Sequence, residues 1–81
     1  MPRYVAGRRL TLLTRPDCHL CDEAAAALTK IGAVFDEVEV DGEAELLARY
    51  GDRIPVILAE GVEIASGPID PSSLPGILAS L

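Results

Sequence analysis

The chain has two cysteines, and they stand together as Cys18-His19-Leu20-Cys21, with its single histidine between them. Thiol–disulfide exchange needs an ionised thiol, an accessible sulfur and a second thiol to release the product. The spacing supplies a candidate for each. An apolar run (Leu10, Leu12, Leu13) precedes the pair and an alanine-rich segment (Ala24 to Leu28) follows it, so the pair is expected where a strand ends and a helix begins. At the first residue of a helix, unpaired backbone N–H groups and the helix dipole stabilise an anion. Cys18 is therefore the expected nucleophile, with a lowered pKa. Cys21, one turn later, shares a face with Ala24, Ala25 and Leu28. It should be more buried, less ionised and suited to resolve a mixed disulfide on Cys18. A protonated His19 would favour the Cys18 thiolate, while Asp17, Asp22 and Glu23 would oppose it.

Other readings of the same residues stay open. Cys18, His19 and Cys21 are all metal-ligating types, but zinc usually takes four ligands and the chain has no second cysteine or histidine pair. A metal- or iron–sulfur-binding module would need ligands from a partner. The cysteines could also be ordinary buried residues, and His19 an ordinary surface one. An interaction domain without turnover is a further reading.

The elements that must hold the pair can be followed along the chain. Arg8 to Thr14 suits a strand buried on both faces, broken by Arg15-Pro16-Asp17. A helix starts near Cys18. Leu20, Ala24, Ala27, Leu28 and Ile31 recur at helical spacing, and Gly32 is the stop. Ala33 to Val40 alternates, with Val34, Val38 and Val40 set between acids, and reads as a second strand parallel to the first. Glu43 to Tyr50 is a short helix with Leu46, Leu47 and Tyr50 inward, followed by an Asp52-Arg53 loop. Pro55 to Leu58 and Val62 to Ala65 are strands joined by a Glu60-Gly61 turn. Asp70-Pro71 is an N-cap with proline at the first helical position. The last helix is interrupted by Pro75-Gly76, and Leu74, Ile77, Leu78 and Leu81 form its apolar face. The order is β-α-β-α-β-β-α, a four-stranded mixed α/β sheet with helices on both faces.

Bulk properties narrow the function. The 81 residues suit one domain, with residues 1–7 as a lead-in, and 49% apolar content is enough for a core. A bridge across a two-residue gap closes too small a loop to staple a secreted mini-protein. There is no signal-peptide pattern and no stretch long enough to span a bilayer, so the expected compartment is the cytoplasm, with no membrane partner. A net charge of −6 argues against nucleic acid. Arg3, Arg8, Arg9 and Arg15 precede the first cysteine, and both a solvated surface and a partner-selecting acidic face fit the charge pattern.

Asp17-Cys18-His19-Leu20-Cys21-Asp22-Glu23-Ala24, with Arg53-Ile54-Pro55-Val56 much later, resembles short bacterial glutaredoxin-like proteins of the thioredoxin-fold superfamily. The resemblance covers nearly the whole chain. It implies strand order 2-1-3-4, with strand three antiparallel to strand one, and a cis Pro55 facing Cys18. In that arrangement the N–H and C=O of Ile54 can pair with an extended substrate. It also implies that Arg15 lies near a glutathione carboxylate and that His19 and Leu20 contact substrate. The implied activity is reduction of protein or glutathione mixed disulfides by a monomer with no bound cofactor or metal. Glutathione or a thioredoxin-reductase-type protein would be the reductant. The chain departs from the family in three places. It has His-Leu where Pro-Tyr is common between the cysteines, it has Ser66-Gly67-Pro68-Ile69-Asp70 in place of Gly-Gly-Asp, and it lacks tryptophan.

Overall fold

The computed structural model describes residues 9–80. The expected lead-in, Arg3, Arg8 and the apolar contribution of Leu81 lie outside the described residues. Strand β1 (Leu10–Thr14) leads into α1 (His19–Lys30), β2 (Phe35–Glu39), a 3-10 turn (Val40–Gly42), α2 (Ala44–Tyr50), a second 3-10 turn (Gly51–Arg53), β3 (Val56–Ala59), β4 (Val62–Ser66), a third 3-10 turn (Pro71–Ser73) and α3 (Leu74–Ala79). Among the described residues, no helix is long and apolar enough to cross a membrane.

The sheet runs β2-β1-β3-β4. β1 is parallel to β2 and antiparallel to β3, and β3 is antiparallel to β4. Period-two alternation in the two central strands sorts the core into two layers. Leu10, Leu12, Ile57 and Ala59 face one way, packed under Ala24, Ala27 and Leu28 of α1 and Leu74 and Leu78 of α3. Leu13, Val56 and Leu58 face the other way with Val40, Tyr50 and Leu46, so α2 covers that side. Both central strands are thus apolar on both faces, as a strand with helices above and below must be.

The elements end where their residues dictate. Gly32, at φ 79°, closes α1: its N–H reaches the Thr29 carbonyl, and the Ala33 N–H reaches that of Leu28. This Schellman arrangement needs a left-handed residue at its centre. Glu60 and Gly61, at φ 51° and 84°, form the two-residue turn between β3 and β4. The register slips by one residue opposite Ile57 and Leu58, leaving a bulge in that hairpin.

Three apolar residues expected inside are not. Leu20 is 40% exposed, because the buried stripe of α1 is Cys21, Ala24 and Leu28, and Leu20 lies about 100° round the helix from Cys21. Leu47 is 38% exposed for the same reason: Leu46 and Tyr50, four apart, take the inward face of α2. Val34 is 74% exposed, since the strand begins one residue later, at Phe35. The Asp52-Arg53 segment, expected as loop, is a full 3-10 turn. The last helix does fall in two pieces, but Pro75 is accommodated in the first turn of α3, where it displaces no hydrogen bond.

Candidate active site

One end of the sheet collects the residues of interest. β1, β2 and β4 run in the same direction and β3 runs against them. The segments after Thr14, Glu39 and Ser66, and the segment before Val56, therefore all emerge there.

The junction after β1 turns through Pro16 and Asp17, and Asp17 takes a left-handed φ of 58°. Cys18 follows in an extended conformation (φ −100°, ψ 104°) as the N-cap of α1. Its carbonyl accepts the Asp22 N–H at 3.1 Å, and its Sγ accepts the Cys21 N–H, also at 3.1 Å. The sulfur thus occupies the place that a serine or aspartate oxygen takes at most helix starts. Cys18 and Cys21 are joined as a disulfide, with Cα atoms 5.2 Å apart. Cys18 is half-buried and Cys21 only 3% exposed, so Cys21 is the more buried of the two, as its place on the helix predicts.

Opposite lies the segment entering β3. The β1–β3 register pairs Leu13 with Val56, and one further step sets Thr14 against Pro55. Pro55 is buried and its bond to Ile54 is cis. The Gly67 N–H is shared between the carbonyls of Pro55, at 2.8 Å, and Arg53, at 3.0 Å, which ties this segment to the end of β4. Ile54 is extended and half-buried. Among the described residues, neither its N–H nor its C=O makes a hydrogen bond of good geometry.

The remaining candidates turn to acids. The Arg15 Nε donates to Asp41 Oδ1 at 2.8 Å, across the ends of β1 and β2. The His19 Nε2 lies 2.7 Å from Glu23 Oε2, one helical turn on. Leu20 projects from the first turn of α1 into solvent. Among the described residues, no group of three or more His, Cys, Asp or Glu side chains could hold a metal ion.

Arg53 has a part that sequence reasoning missed. Its Nη1 donates to both carboxylate oxygens of Glu63 on β4, at 2.7 and 2.9 Å, and its Nη2 to the Arg49 carbonyl at 3.3 Å. Its guanidinium lies 5.3 Å from the centre of the Tyr50 ring. The residue before Ile54 is thereby clamped to α2 and β4 at once. The one available signal was its position next to Ile54-Pro55; Glu63 gave none, because the pairing depends on the bulged hairpin.

A Cys-x-x-Cys pair at the start of the first helix of a four-stranded 2-1-3-4 sheet, with a buried proline opening the third strand, defines a thioredoxin-like α/β fold. The family model described as Glutaredoxin-like domain (DUF836) matches residues 9–78, and the chain belongs to that family. It is similar to XcR50 from X. campestris, whose X-ray structure superposes with a TM-score of 0.80 at 39% identity, covering 89% of this chain and 97% of that one. Protein Ne2328 from Nitrosomonas europaea matches with a TM-score of 0.74 at 29% identity, over 85% of this chain and 88% of its own. The uncharacterized protein Rv0508 of Mycobacterium tuberculosis is 32% identical over 71 residues, covering 76% of this chain and 73% of its own. More distant likenesses, such as a buckwheat glutaredoxin–glutathione complex at 20% identity and TM-score 0.62, covering 98% of this chain and 80% of that one, bear on the fold alone.

Proposed function

We propose that this protein is a thiol–disulfide oxidoreductase that reduces protein or glutathione mixed disulfides by dithiol exchange. The observation that carries the reading is the position of Cys18: half-exposed, at the cap of α1, with a backbone N–H directed at its sulfur. In the reduced protein that N–H and the helix terminus favour the thiolate. The Cys18 thiolate attacks one sulfur of the substrate disulfide, forms a mixed disulfide and expels the other sulfur as a thiolate, which takes up a proton. Cys21, buried beside it, then loses its proton and attacks Cys18. The second substrate thiol leaves, and the Cys18–Cys21 disulfide remains. Two electrons pass from the protein dithiol to the substrate.

Ile54 and Pro55 serve as the backbone platform opposite, where the unpaired groups of Ile54 are available to an extended chain. Arg15, His19 and Leu20, which stand beside the cysteines in the chain, contact the substrate in this reading. The reductant that restores the dithiol is glutathione or a thioredoxin-reductase-type protein, and the compartment is the cytoplasm, where such donors keep thiols reduced.

The test is a pair of variants assayed for disulfide reduction. Cys18→Ser is expected to abolish it, and Cys21→Ser to accumulate a substrate-linked mixed disulfide visible by mass. Equal activity in both variants would contradict the division of labour.

A further inference from the structure

We infer that the site selects disulfides carried by an extended, neutral or basic polypeptide segment and discriminates against glutathione; the inference rests on the dithiol reading above. Glutathione brings two carboxylates to the sulfur, and these need cations or free N–H groups to replace their water. Around Cys18 the cationic side chains are already engaged. Arg15 is held by Asp41 at 2.8 Å, and His19 by Glu23 at 2.7 Å. Arg53 makes a two-point contact with Glu63 and gives its other nitrogen to the Arg49 carbonyl. The Gly67 N–H is shared by the carbonyls of Arg53 and Pro55, and Pro68 next to it has no N–H. Asp17 and Asp22 flank the cysteines and make no ion pair among the described residues. A carboxylate arriving here must displace an existing acid or sit beside an uncompensated one.

An extended polypeptide asks for different groups, and these are present. Ile54 offers an N–H and a C=O on extended backbone at the start of β3. Leu20 presents an exposed apolar surface next to Cys21. A lysine or arginine near the substrate cysteine would meet Asp17 or Asp22.

The proposal is tested by single turnover of the pre-reduced protein. The dithiol supplies both electrons, so no other reductant enters. The substrates are glutathione disulfide, the same compound with its carboxylates esterified, and disulfides of a short cysteine peptide flanked by lysine or by glutamate. Esterification is expected to raise the rate constant at least about tenfold, and lysine flanks to outpace glutamate flanks similarly, with both ratios shrinking at high salt. Asp41→Asn, which frees Arg15, should raise the rate with glutathione disulfide several-fold and leave the lysine-flanked peptide unaccelerated; adding Arg15→Ala should remove that gain. Glutathione disulfide reacting as fast as its ester, or a rate ratio unmoved by Asp41→Asn, would overturn the inference. Exchange with none of the four substrates would overturn the dithiol reading itself and this inference with it.

Discussion

Two helical segments, α1 and the 3-10 turn before α3, start with the same backbone arrangement and different chemistry. Cys18 opens α1 and Asp70 opens the 3-10 turn leading into α3. Both are extended, at φ −100° and −76°, and both accept a following backbone N–H on the side chain. At Asp70 a carboxylate oxygen takes the Ser72 N–H at 3.0 Å and the Ser72 hydroxyl at 2.8 Å. At Cys18 a sulfur takes the Cys21 N–H at 3.1 Å. Sulfur is the weaker acceptor, so α1 gives up part of a cap that aspartate would provide. In exchange, the polarised helix end acts on a group that can lose a proton and attack a disulfide. One start only holds its segment; on the proposed reading the other also reacts.

The comparison breaks most sharply if the capping atom is exchanged. Cys18→Asp should abolish disulfide exchange while raising the stability of the reduced protein by about 0.5–1 kcal/mol, the range of a gained N-cap. Thermal melts under reducing conditions, run beside a turnover assay, measure both. Loss of stability in this variant would mean that the sulfur's place in the cap is not interchangeable with an oxygen.

A smaller effect is expected at Arg53, which fixes the segment facing Cys18. Arg53→Ala should cost about 0.2–1 kcal/mol of stability, as an exposed ion pair does, yet slow exchange with a peptide disulfide by about tenfold through loss of the Ile54 alignment. Arg53→Lys keeps one contact to Glu63 and should recover part of the rate. A rate that falls only in step with stability would reduce Arg53 to a surface ion pair.

The smallest effect belongs to Asp70. Its carboxyl is held below the ordinary aspartate range by the Ser72 hydroxyl and then by the Ser72 N–H. A group whose folded pKa is lowered adds stability above its unfolded value, and that stability is lost as pH falls through the folded value. The contribution at Asp70 is therefore full at neutral pH and disappears in acid. Asp70→Asn should flatten this acid limb of the melting curve and leave exchange rates unchanged. An unchanged acid limb would show that the cap carries no pH-dependent stability.

How far the chain could be read in advance follows from the range of each interaction. The helices and strands were legible because they rest on local periodicity, as in Ala24, Ala27 and Leu28 or Leu10 and Leu12. Cys18 at the helix start was legible from Pro16-Asp17 before it and the alanines after it. The outward turn of Leu20 and Leu47 was not, because about 100° on a helix separates an inward residue from an outward one and composition does not fix that phase. The Arg15–Asp41 pair was hidden by its dependence on the β1–β2 register, and the Arg53–Glu63 pair by its dependence on a bulge. Resemblance pointed Arg15 toward a ligand carboxylate; its pairing with Asp41 in the fold is a separate contact that the sequence did not show.

The central claim is that the amide at the start of α1 holds the Cys18 sulfur as an anion. The direct measurement is the rate of alkylation of the Cys21→Ser protein against pH, since Cys18 is then the chain's only thiol. The account predicts an inflection below about 7.5, within the range of activated thiols. An inflection at or above about 8.5, where an ordinary cysteine titrates, would contradict it.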